Sequence, residues 1–177
     1  MRRGRVSAVR GRQRHVEWRL RDLLRAVVVL TVLLIVLAVL LWREETHIAG
    51  PVDVIDGDTL RLADGRPLRL EGLDAPEIDQ FCERPSGTYA CGRAARRALF
   101  RLVAGANVTC VAHGRDRYDR LLGRCRAGEE DIGASLVAAG WAVANGRYRV
   151  EEAAARTAGR GLWQGSFERP ADWRARH

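Results

Sequence analysis

An α+β fold of five short strands and about three helices, preceded by a single N-terminal transmembrane helix, is what this 177-residue sequence predicts. Three observations carry the expectation. Across residues 26–42 the chain has no charged residue, and only Thr31 is polar. Beyond Pro51, five short apolar-rich segments are separated by turn residues, which is how strands are punctuated. Three later segments place apolar residues three or four apart, the period of a helix with one buried face.

The first 25 residues are basic. They hold nine arginines against Glu17 and Asp22, so seven of the chain's eight net positive charges sit there and the remainder carries a surplus of one. A nearly neutral domain cannot hold nucleic acid through bulk charge; binding must rest on particular arginines and be modest and salt-sensitive. Every cationic residue is arginine and none is lysine, so an isolated arginine says little. The tail is expected to be disordered in solution, with anionic lipid as its contact.

Residues 26–42 come next, about 25 Å of helix and long enough to cross a bilayer core, with Trp18 and Trp42 at the two interfaces. A cleaved secretory signal is the competing reading. Its apolar core, however, is usually about 7 to 15 residues long and ends at a small-x-small site. Here Val-Leu-Leu-Trp-Arg precedes Glu44. The nine arginines before the span against Arg43 just after it keep the N-terminus cytoplasmic and turn the domain toward the periplasm or extracellular space.

Residues 43–50 read as a polar linker, and residues 51–177 as the folded domain. Strands are expected over 52–55 and 60–62, around an Asp56-Gly57-Asp58 turn in which Gly57 offers the positive φ of a tight hairpin. After the Asp64-Gly65 turn, 68–73 alternates, placing Arg69 and Glu71 opposite Leu68 and Leu70. Pro76 ends that strand and keeps Ala75 extended. A helix over 92–104 turns Ala95, Leu99, Leu102 and Val103 inward and leaves Arg93, Arg96, Arg97 and Arg101 on a solvated face. The last strands are 108–112 and 121–126. Helices over 132–139, with Asp131 as N-cap and Gly140 as its stop, and over 150–158 complete the chain.

Cysteine spacing excludes a thiolate metal site. No C-x-x-C occurs, and His15, His47, His113 and His177 are scattered. In an oxidising compartment Cys82 with Cys91 would staple the loop after Glu77, and Cys110 with Cys125 would bridge a hairpin; four buried free thiols are the alternative.

Three short runs carry chemistry: Asp56 to Thr59, Arg69 to Glu77, and Asp116 to Arg120. A hard cation such as Ca²⁺ takes several oxygen ligands, so Asp58 and Asp74 suit it if the fold joins them, with a backbone carbonyl and waters completing the shell. Glu77, three residues past Asp74, is placed to accept a proton from an attacking water, while Arg69 and Arg120 neutralise a phosphate. Taken singly, each is a hairpin turn, a loop cap, or a surface ion pair worth under about 1 kcal/mol. Their joint occurrence points to phosphodiester hydrolysis.

In order and spacing these residues resemble the thermonuclease family, the staphylococcal-nuclease-like enzymes built on an OB barrel. Arg69 falls five before Asp74, Glu77 three after it, and Arg120 two after the tyrosine of Asp116-Arg117-Tyr118. The resemblance covers roughly 52–173, including Gly161-Leu162-Trp163, and leaves out the N-terminal segment. It implies a five-stranded OB-type barrel and Ca²⁺ held by Asp58, Asp74 and the carbonyl of Ala75, where the family usually has threonine. It further implies Glu77 as general base, Arg69 and Arg120 as phosphate clamps, and little base specificity on DNA or RNA, with 3′-phosphate ends. Tyr118 matches a site tyrosine, and Tyr148 is the candidate to replace a stacking ring missing near Gly146. Asp119 stands where glycine is common, and its carboxylate is positioned to draw Arg120 from phosphate. The rivals are a non-catalytic OB module that binds nucleic acid or another polyanion, and a secreted enzyme whose apolar segment is removed.

Overall fold

A computed structural model describes residues 7–41 and 45–177. Trp42 and the start of the basic tail lie outside the described residues. The chain divides into two units, Met1–Arg43 and Glu44–His177.

The first unit is the helix α1 (Ser7–Leu41). It starts within the basic segment, where a disordered tail was expected; arginine, glutamine and leucine there are good helix formers. Its stretch Arg21–Val39 has a mean hydropathy of 2.6 and is long and apolar enough to cross a membrane, a property that signal sequences share.

The second unit is mixed α+β, the predicted class. Its strands are β1 (Glu45–Gly50), β2 (Val52–Val54), β3 (Thr59–Leu62), β4 (Pro67–Leu70), β5 (Leu73–Asp74), β6 (Val108–Arg115), β7 (Leu121–Ala127), β8 (Glu130–Asp131) and β9 (Val143–Ala144). Helices α2 (Cys91–Val103), α3 (Ile132–Ala138), α4 (Arg149–Thr157) and α5 (Pro170–Arg176) accompany them, with a 3₁₀ turn over Gly161–Gln164. The main sheet runs β1-β6-β7-β4-β3-β2, with β8 added to β7. Only β4 and β7 are parallel; the other pairs are antiparallel.

Residues 45–50 correct the expected linker. They form an edge strand whose register runs from Glu45 opposite His113 to Gly50 opposite Val108. Pro51 has no N–H to give a ladder and sits between β1 and β2, so one bent segment supplies both edges of the sheet. That is how an OB barrel manages its edges.

The third expected strand also divides. Gly72 adopts φ +85°, and a Cβ there would meet the Arg147 side chain at 2.7 Å. The chain therefore turns, and Leu73 and Asp74 pair with Ala144 and Val143 instead. Gly57 is required for a different reason from the one expected. It is not a positive-φ residue; a Cβ would lie 2.7 Å from that of Ala75 and 2.9 Å from that of Ala95 on α2. Close packing of the 56–58 turn against α2 sets the position of Asp58.

The core lies between the sheet and α2 with α3. Leu60, Leu68, Leu99, Ile132 and Leu136 are completely buried, each worth about 1.5–3 kcal/mol relative to exposure. Arg96, exposed on α2 as expected, also donates to the Val54 and Ile55 carbonyls, tying the helix to β2. Both expected disulfides are present, and no cysteine is free. Cys110 and Cys125 are directly opposed across β6 and β7, with Cα atoms 4.1 Å apart. Cys82–Cys91 closes the loop that leads from Glu77 into α2.

Candidate active site

Asp58 and Asp74 come from different places in the chain and are both nearly fully buried, at 3% and 4% exposure. A buried carboxylate needs partners for each oxygen. Asp58 Oδ1 accepts from Arg69 Nη1 at 2.8 Å and from the Thr59 hydroxyl at 3.0 Å, and its Oδ2 accepts from the Ala75 N–H at 3.0 Å. Asp74 Oδ1 accepts from Arg69 Nη2 at 2.6 Å. One guanidinium thus joins both acids. Their oxygens converge within the reach of a single planar cation.

Local folding explains the convergence. Asp56 accepts from the Asp58 N–H at 3.0 Å, fixing the turn before β3. Arg69, on β4 opposite Thr59, projects beside that turn. The kink at Gly72 then returns Asp74 to the same spot. Burial pushes the Asp58 carboxyl up to about 7, with the nearby Arg69 charge pulling the other way.

Arg69 was expected to face phosphate. In the structure its guanidinium also serves as counter-charge to the two aspartates, since buried acids require a cationic partner. Among the described residues no group of three or more His, Cys, Asp or Glu side chains could hold a metal alone, so an ion at Asp58 and Asp74 would draw on backbone and water oxygens. The oxygen-only donor set and its present occupation by a guanidinium fit a hard divalent cation.

Glu77 stands at the edge of this pair. Its N–H donates to Gln80 Oε1 at 3.2 Å, and the Gln80 N–H donates back to the Glu77 carbonyl at 2.9 Å. Gly92, at the start of α2, packs on the same carbonyl; a Cβ there would lie 1.7 Å from it. The side-chain Oε1 accepts from Arg174 Nη1 at 2.8 Å, and Arg174 Nη2 lies 3.0 Å from Asp74 Oδ2. These hydrogen bonds, that to Asp74 foremost, hold the Arg174 guanidinium further toward its charged form.

Sequence reasoning missed Arg174 and the helix that carries it. A signal existed: Pro170 occupies the first helical turn, a preferred place for proline, with Trp173 and Arg174 one turn on. Gln80 was missed as well. It is fully buried and donates to the Glu168 carbonyl at 2.8 Å, which no local pattern announces.

Arg120 belongs to the β6–β7 loop, not to the carboxylate cluster. Asp116 holds it, accepting from Nε at 2.8 Å and from its N–H at 3.0 Å. Asp119 does not draw it away: its carboxylate pairs with Arg115 at 3.1 Å. Asp119 has φ +63°, the left-handed conformation for which glycine is suited. Tyr118 is exposed, with the Arg117 and Arg120 guanidinium groups 4.8 Å and 5.4 Å from its ring centre. Tyr148 is tied elsewhere. It is the N-cap residue of α4 at φ +62°, packs on Gly133, and donates its hydroxyl to Asp131 Oδ1 at 3.1 Å. Burial, with the adjoining Asp131 charge, pushes its phenol up to about 12. These contacts give Tyr148 a packing role.

The family model for staphylococcal nuclease homologues matches residues 67–165, more than half of the chain. The chain belongs to the staphylococcal nuclease family. Its similarity extends over most of several curated relatives. It is 36% identical over 145 residues to the succinoglycan biosynthesis protein ExoI of Rhizobium meliloti, covering 75% of each chain. An uncharacterized endonuclease of Escherichia coli O157:H7 is 35% identical over 136 residues, 71% of this chain and 82% of that one. Another from Haemophilus influenzae is 31% identical over 159 residues, 83% and 84%. This staphylococcal nuclease homologue is a nuclease that hydrolyses phosphodiester bonds.

Proposed function

We propose that this chain is a membrane-anchored, calcium-dependent endonuclease that cuts DNA or RNA with little base specificity and leaves 3′-phosphate ends. The observation that carries the reading is the meeting of Asp58 and Asp74 on one guanidinium, two buried acids arranged around a positive charge. In this reading Asp58, Asp74 and the Ala75 carbonyl hold Ca²⁺. The ion, when bound, supplies a Lewis acid for the phosphoryl oxygen and eases deprotonation of water. Glu77 accepts the proton of the attacking water. A P–O bond forms to that oxygen as the P–O5′ bond breaks, and the 5′ oxygen leaves as a hydroxyl with a proton taken from solvent water. Arg69 and Arg120 bind phosphate oxygens and offset the charge that grows on them; guanidinium groups stay charged at any working pH and act as clamps. Tyr118, exposed beside Arg120, offers a ring for a base.

The apolar run of α1 supports an anchor, and the arginine excess before it supports a cytoplasmic N-terminus with the nuclease domain outside. Two disulfides suit that oxidising side. The deciding experiment uses the full chain in detergent with single-stranded DNA. Cleavage should appear with calcium, stop on chelation, and leave 3′-phosphate termini by end-group analysis. Glu77→Gln should lose about 10²–10⁴ in turnover. Undiminished cleavage by that variant would refute the assignment of Glu77, and binding without cleavage would favour a non-catalytic module.

A further inference from the structure

Arg174 lies beyond the residues matched by the family model, which end at 165, yet its guanidinium reaches two of the three acids of the site. The geometry is divided: Nη1 is 2.8 Å from Glu77 Oε1 and Nη2 is 3.0 Å from Asp74 Oδ2. An ion pair that only staples a chain end needs one carboxylate. Here a single fork spans the acid assigned to the attacking water and an acid assigned to the ion.

The segment carrying Arg174 is held to the Glu77 loop by separate contacts. Pro170 is buried, Arg176 pairs with Glu168, and the buried Gln80 amide donates to the Glu168 carbonyl. Gln80 also exchanges hydrogen bonds with the Glu77 backbone. Loop and helix are therefore placed together, with Arg174 as their side-chain link.

We propose that Arg174 is a positioning residue of the nuclease reaction, holding the Glu77 carboxylate beside Asp74 and competing with the divalent cation for Asp74. The positioning half rests on the nuclease reading above, and the competition half on its assignment of the ion to Asp74. The two halves have opposite consequences. Without Arg174 the Glu77 carboxylate is free to rotate away from the water it serves, so turnover falls. Without Arg174 the second oxygen of Asp74 loses a cationic partner, so the ion binds more tightly. Mere loosening of the last helix would weaken both.

The test uses the full chain in detergent, with calcium titration calorimetry in the absence of nucleic acid and steady-state cleavage of a single-stranded oligonucleotide at saturating calcium. Arg174→Ala is expected to lower kcat about tenfold to a hundredfold at nearly constant KM. It should lower the calcium Kd about fivefold. Arg174→Lys should regain part of the kcat, since a lysine restores the charge but only one point of contact. Arg176→Ala, which loosens α5 without touching the three site acids, should lower kcat less than Arg174→Ala does and should leave the calcium Kd unchanged or raised. An unchanged kcat, or a calcium Kd that is unchanged or raised in Arg174→Ala, overturns the proposal. A chain that bound calcium but cut nothing would overturn the nuclease reading and the positioning role with it, whereas tightening in Arg174→Ala would still uphold the competition at Asp74.

Discussion

Asp119 and Asp58 show how single residues carry costs that their neighbours explain. Asp119 sits at φ +63°, and left-handed backbone at a non-glycine residue stores energy unless something compensates. Its own side chain is largely solvated, so the pair it makes with Arg115 returns little. Asp119→Gly should therefore stabilise the domain by about 0.5–1 kcal/mol, read as a higher Tm, with cleavage unchanged. Asp58 has the opposite relation to function. Its carboxyl is raised from an ordinary 3.8 to about 7, so between those values the metal-free fold keeps a proton that the unfolded chain has lost. Stability without metal should fall as pH rises through that window. In the proposed reading the ion needs the Asp58 carboxylate, so calcium affinity should climb over the same window and level off above about 7, measured by calorimetry at a series of pH values. An affinity indifferent to pH would remove Asp58 from the ion's ligands.

Elements decide where the sequence could be read and where it could not. The runs holding Asp58, Asp74 and Glu77 are short and bounded by Gly57, Gly72 and Pro76, so local chemistry already fixed their turns. The strand β1 was illegible for a physical reason: its partner β6 is some 60 residues away, and Pro51 beside it reads as a breaker. Arg174 was hidden likewise, since 97 residues separate it from Glu77 and only the docking of α5 joins them. The partner of the Tyr148 hydroxyl, the half-buried Asp131, lies 17 residues away and was equally hidden from local pattern. The loop from Glu77 to α2 owes its shape to Cys82–Cys91 and to the Gly92 contact. Replacing both cysteines by serine should cost about 2–3 kcal/mol in thermal unfolding. It should also lower turnover, because the loop that carries Glu77 is no longer closed.

At the scale of the whole molecule, charge is segregated: nearly all the net positive charge precedes the apolar helix, and the nuclease unit is close to neutral. Association with substrate should then depend on few phosphate contacts, with a slope of log affinity against log salt of roughly −1 to −2 for single strands. Protease added outside intact cells should remove the domain and spare the tail, and the reverse pattern would invert the topology. The bridge of Arg69 between Asp58 and Asp74 has a bearing on how this protein lives before it works. Because Arg69 already balances both acids, the fold does not depend on a divalent ion to offset their charge. A sample stripped of divalent ions should keep its circular dichroism spectrum and a cooperative melt, and under the proposed calcium dependence it should cut nothing until calcium is restored.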